Sequence, residues 1–211
     1  MSSGAVLQRV DDVLRGRSAS YPWSFLVLCG LLYGGAMGAF GGRPLQAVYS
    51  ALKVPLLLLA TLGLSLPSYF VANTLLGLRA DFALALRAIV TSQAVLTVVL
   101  AALAPLTLFW YASSTHYQAA ILFNAAMFAV ASLASQVALG RAYRPLIARS
   151  PKHRGLLRAW IVIFAFVGIQ MGWTLRPFIG SPEQPVRFFR GGEFENAYVI
   201  VARMIWEILI P

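Results

Sequence analysis

Apolar positions run through this chain in five long stretches, 23–40, 54–76, 84–110, 117–139 and 156–175, with the polar residues gathered between them. The hydrocarbon core of a bilayer is about 30 Å thick and takes about 20 helical residues to cross, so each stretch predicts a spanning helix, the first only just. Shorter amphipathic patterns flank them. Val6, Leu7, Val10, Val13 and Leu14 recur at helical spacing, with Arg9, Asp11, Asp12 and Arg15 mostly opposite, which predicts a surface helix within 1–20. After the fifth stretch, Pro177, Gly180, Pro182 and Pro185 forbid a continuing helix and predict a turn-rich loop. The stretch 194–210 then reads as a second interfacial helix. A short sixth span with a buried Arg203–Glu207 pair is its rival. The expectation is an all-α polytopic transmembrane bundle: one membrane domain over 1–211, with five spans in 23–175 and a loop plus helix in 176–211.

Small residues predict how the spans meet. Gly30, Gly34, Gly38 and Gly42 recur every fourth residue and form one stripe on the first span. A stripe without side chains lets a second helix approach at backbone distance. Gly168 and Gly172 repeat the spacing on the fifth span. Pro67 predicts a kink in the second span, and Asp81 stands where the third needs an N-cap.

Composition agrees with the pattern: 59% of residues are hydrophobic and 11% charged. The net charge of +10 flanks the apolar stretches instead of collecting on a soluble module, so it predicts topology and anionic lipid headgroups, not nucleic acid. Segment 140–158 reads as a basic loop carrying Arg141, Arg144, Arg149, Lys152, Arg154 and Arg158 without an acid. Placing it in the cytoplasm, with the N-terminus and the 77–82 turn, puts eleven of the 17 Lys and Arg inside. The predicted orientation is N-terminus cytoplasmic and C-terminus extracytoplasmic, in a bacterial inner membrane. The excess of Arg over Lys points to a high-GC bacterial source.

Candidate chemistry is sparse. Cys29 stands alone, and His116 and His153 fall in loops on opposite sides, so no metal site, cofactor or catalytic set is expected. Asn73, Gln93, Asn124 and Gln170 are the candidate pore or polar lining if they converge on one axis, and interhelical hydrogen-bonding groups otherwise. The loop after the fifth span is rich in Pro, Phe and Arg. Its Arg176, Phe178, Phe188 and Phe189 are the candidate contact for a partner membrane protein or for self-association.

Two segments carry a resemblance: Leu52-Lys53-Val54-Pro55-Leu56-Leu57 through Pro67-Ser68-Tyr69-Phe70-Val71-Ala72-Asn73, and Leu175-Arg176-Pro177-Phe178-Ile179-Gly180-Ser181-Pro182. They resemble an uncharacterised group of small polytopic bacterial inner-membrane proteins with K-V-P-L-L and L-R-P-F-x-G-x-P segments. The five-span, N-inside plan is also similar to that of Yip1-type membrane proteins. Neither likeness implies an activity or a functional residue. The sequence therefore favours a non-enzymatic scaffold or small subunit of a membrane assembly. The alternative is a small homo-oligomeric channel or carrier.

Overall fold

A computed structural model describes residues 23–189 and, ahead of them, Gln8. The expected N-terminal surface helix and the 194–210 helix, with Arg203 and Glu207, lie outside the described residues. The described chain is all-helical, in the order α1 (Trp23–Gly38), α2 (Pro44–Leu75), α3 (Phe82–Ser113), α4 (Tyr117–Arg149) and α5 (Lys152–Thr174). Four of these helices, α2 to α5, are long and apolar enough to cross a membrane. The first stretch is helical over its 16 described residues, about 24 Å. The chain leaves it through Gly41 and Gly42, both with positive φ, a turn a side chain would strain.

Helix ends differ from the expected span ends wherever polar residues extend a helix past its apolar part. α2 begins at Pro44, with the fixed φ that suits a first helical turn, and so takes in Gln46, Ser50 and Lys53. It runs as one helix through Pro55 and Pro67 and stops at Gly77, whose φ of 75° lets Leu78 N–H bond back to the Asn73 carbonyl at 2.9 Å. The expected 140–158 loop is also mostly helix. α4 continues to Arg149, Ser150 is extended ahead of Pro151, and α5 starts at Lys152.

The bundle has two ends and a core in two halves. The loop end carries the 39–43 turn, the 114–116 connector and the segment after Thr174; the basic end carries the 76–81 and 150–151 connectors. At the basic end, α2, α3, α4 and α5 close around Leu62, Tyr69, Ile89, Leu139, Tyr143 and Trp160. At the loop end α1 enters the bundle, and Leu26, Tyr33 and Met37 pack with Val54, Leu58, Leu96, Leu100, Ala120 and Ile179.

Glycines allow that insertion. A Cβ on Gly34 would collide with the Ser50 carbonyl and stand 2.8 Å from Ala51 Cα, and one on Gly38 would stand 2.6 Å from Gln46 O. A Cβ on Gly30 would press on Pro55 Cβ at 3.3 Å, and one on Gly168 would touch Thr61 at 3.5 Å. Gly42 and Gly172 look onto open space. The close approach is thus confined to the α1–α2 seam, with α1 running antiparallel to the first half of α2.

Candidate functional site

The most developed polar arrangement lies at the loop end, where the chain after α5 folds back over α2. Its prolines remove N–H donors and break regular structure, so few of its carbonyls pair locally; Ser181 O takes the Gln184 N–H at 3.2 Å. α2 supplies the missing donors. Arg43, Gln46, Ser50 and Lys53 are spaced three, four and three residues apart, on one helical face. Arg43 Nη1 donates to the carbonyls of Ser181 (2.9 Å) and Gln184 (2.8 Å), and its Nη2 to that of Pro182 (2.6 Å). Gln46 Nε2 reaches Pro177 O (3.2 Å) and Phe178 O (3.1 Å), Ser50 Oγ donates to Phe178 O, and Lys53 Nζ donates to Pro177 O at 2.8 Å. Tyr117 adds a longer bond to the Ile179 carbonyl, 3.4 Å. Gly180 sits so close to Gln46 that a Cβ there would lie 3.1 Å from Gln46 Cγ.

Lys53 is the centre of this latch. It is fully buried, and its ammonium lies 4.8 Å from the Phe188 ring centroid and 6.0 Å from that of Phe178. A carbonyl and two ring faces are its counterparts. Phe178 packs against the loop-end core, and Phe188 meets Tyr49 edge to face at 5.2 Å. Arg176 lies flat on Trp173, 3.5 Å from the ring centroid. Of the four residues expected to contact a partner, only Phe189 presents an exposed ring; the other three serve mainly to fix the loop to its own bundle. The polar stripe is hidden in the sequence because the apolar stretch begins at residue 54, leaving Lys53 in what reads as a connector. Its three-four-three spacing in an otherwise apolar run was the available signal.

The four candidate pore residues stand at different depths. Asn73 is buried at the basic end beside Tyr69. Gln93 is buried midway along α3. Asn124 is at the loop end, where its amide donates to Tyr111 Oη (2.6 Å) and Ala120 O (2.8 Å) and accepts from Tyr33 Oη (2.9 Å). Gln170 is half-buried on α5, one turn before its end. Asn124 and Gln93 each border a cavity, Asn73 and Gln170 border neither, and ring pairs such as Tyr33–Phe128 and Tyr69–Trp160 pack in the interior.

The basic end has its own tie. Asp81 does not cap α3; its carboxylate takes Arg149 at 3.0 Å and His153 Nε2 at 3.1 Å. His153, expected in a loop, is fully buried in the first turn of α5. Lys152 Nζ donates to the Leu76 carbonyl at 3.2 Å. Together these contacts join the two connectors. All six basic residues read as headgroup ligands, Arg141, Arg144, Arg149, Lys152, Arg154 and Arg158, are exposed here. Asp81→Ala would leave the buried His153 imidazole without its carboxylate partner. The expected cost is about 1–3 kcal/mol, read as a lower thermal midpoint in detergent; an unchanged midpoint would show that the tie contributes nothing.

Two cavities lie in line between α4 and α5. One of about 490 Å³ at the loop end is bordered by Asn124, Ala125, Phe128, Trp173 and Arg176. A deeper one of about 380 Å³ is bordered by Thr61, Gln93, Ser132, Gln136 and Gly168. Leu57 and Phe128 border both. Compared with known protein families, characterised proteins and solved structures, the chain matches none.

Proposed function

We propose that this chain is a non-enzymatic, multi-pass membrane protein that acts as a scaffold or small subunit of a larger membrane assembly. We place it in a bacterial inner membrane, with the basic end and the N-terminus in the cytoplasm and the loop end outside. The observation that carries the reading is the latch. The polar stripe of α2 is spent on holding a proline-rich loop rigid at the bundle end, with Phe189 exposed beside it. A loop fixed before it meets a partner loses less conformational freedom on binding, so a small membrane bundle can present a specific surface. The exposed basic cluster suits anionic headgroups of the opposite leaflet.

The alternative is a homo-oligomeric channel or carrier, and the deeper cavity with its Thr, Gln and Ser side chains favours it. Extraction in a gentle detergent followed by native mass spectrometry separates the two. The scaffold reading expects unlike subunits to co-purify, and Phe189→Ala to lose them while the bundle stays folded. A single-species ring that conducts solutes in liposomes, indifferent to Phe189→Ala, would overturn it.

A further inference from the structure

The deeper cavity between α4 and α5 draws on none of the latch residues and none of the basic cluster. We infer that it binds the hydroxyl-bearing end of a neutral lipid alcohol, whose apolar body lies between the two helices.

Its polar floor sets what the ligand must carry. Thr61 from α2 and Gln93 from α3 border the cavity and are 1% and 3% exposed. Each has a buried side-chain oxygen without a hydrogen-bond partner among the described residues. The hydroxyls of Ser92, Thr97 and Thr107 donate to carbonyls three or four residues back, the usual outlet for a hydroxyl inside a helix. Thr61 does not use that outlet. A polar atom left unpaired away from water costs free energy, and a ligand that pairs it removes the cost. The Gln93 oxygen only accepts, so the ligand must bring a donor, whereas the Thr61 hydroxyl can donate or accept. A hydroxyl serves both. Ser132 and Gln136 place a further hydroxyl and amide on the α4 side.

Walls and position fix the rest of the molecule. No Asp, Glu, Lys, Arg or His borders the cavity among the described residues, so nothing there offsets a charge taken out of water. Leu96, Phe128, Ile161, Phe164 and Ile169 make the remaining walls apolar. Gln136, Ile161, Ala165 and Ile169 are exposed, which puts the opening on the flank of the bundle between α4 and α5. On α5 that opening lies more than a turn inside both ends of the helix, Lys152 and Thr174. A molecule reaching it comes through lipid, which admits an apolar body and turns back ions. A cavity of about 380 Å³ falls in the ordinary range of small-molecule sites, about 300–1,000 Å³.

The test uses the full chain in phosphatidylcholine vesicles, with a diazirine-bearing dodecanol as photoprobe. Labelling is expected to saturate and to map to α4 and α5 around Ser132 and Ala165. Dodecanol should compete, while dodecane and dodecyl methyl ether, which keep the chain and lack the donor, should compete about tenfold more weakly. Ala165→Trp fills the opening from an exposed wall position and should cut labelling about tenfold. Gln93→Leu and Thr61→Val should each weaken it about tenfold, the loss of one hydrogen bond made away from water. The thermal midpoint without added alcohol should hold or rise in both, because neither oxygen has a described partner to lose. Labelling that does not saturate, equal competition by dodecane, or indifference to the Gln93 and Thr61 substitutions would overturn the assignment. So would a lowered midpoint in both variants, since it would mean that the two oxygens are already paired.

Discussion

Chains carrying Gly34→Leu or Gly38→Leu are expected not to accumulate as a folded bundle, and their alanine versions to be sharply destabilised. At both positions the neighbour is α2 backbone, which cannot swing aside like a side-chain tip. The nearest α2 Cα lies 2.8 Å from a Cβ at Gly34 and 2.7 Å from one at Gly38. Relief requires α1 and α2 to separate, and in lipid no hydrophobic force between helices compensates for lost packing. Overpacking typically costs about 1–3 kcal/mol, and backbone collisions belong at or above the top of that range. Separation would also shift Gln46 and Ser50, so the latch should loosen with the seam. Position gives a graded control: Gly30→Ala should cost less than Gly34→Ala or Gly38→Ala, because its Cβ would press on Pro55 at 3.3 Å and need a shift of only a few tenths of an ångström, and Gly172→Ala nothing measurable, because it faces open space. Expression level, monodispersity and thermal midpoint in detergent read the series. A flat response across all four sites would mean that the seam does not hold α1.

Arg43→Ala is expected to release the far half of the latched loop without unfolding the bundle. One guanidinium holds the carbonyls of residues 181, 182 and 184, and hydrogen bonds from a charged donor are worth about 1.5–3 kcal/mol where partly buried. Amide exchange across 181–187 should accelerate roughly thirtyfold, the equivalent of about 2 kcal/mol. The near half, at Pro177 and Phe178, should keep its protection because Gln46, Ser50 and Lys53 still bond it. Uniform loosening from 176 to 189 would show that the loop is one cooperative unit. No change at all would show that the Arg43 bonds are not needed to order it.

Lys53 and Pro177 also explain how two separated sequence segments form one feature. The K-V-P-L-L segment and the L-R-P-F-x-G-x-P segment, more than a hundred positions apart, meet where Lys53 Nζ bonds the Pro177 carbonyl. A lysine among leucines reads naturally as a span boundary, since an ammonium in lipid is costly. The folded loop removes that cost by bringing an acceptor and two aromatic rings to it. His153 follows the same logic at the other end: among basic residues it reads as part of a solvated loop, and only the folded bundle buries the ring beside Tyr143 and brings Asp81 within reach.

The sequence by itself determined the helical class, the place of the five apolar helices, the proline-rich break after the fifth apolar stretch, and the glycine spacing of the first. These follow from local quantities: hydropathy over some twenty residues, backbone freedom at Gly and its restriction at Pro. Tertiary structure alone decided that α1 packs into the bundle against α2, that Gly34 and Gly38 meet backbone while Gly42 and Gly172 do not, and that Gln93 and Asn124 border cavities while Asn73 and Gln170 do not. It also turned the Phe-rich loop onto its own α2. Those outcomes depend on which helix faces which. In lipid every long apolar helix offers neighbours much the same surface, so hydropathy does not rank the pairings; close packing and the need of each buried carbonyl for a donor do.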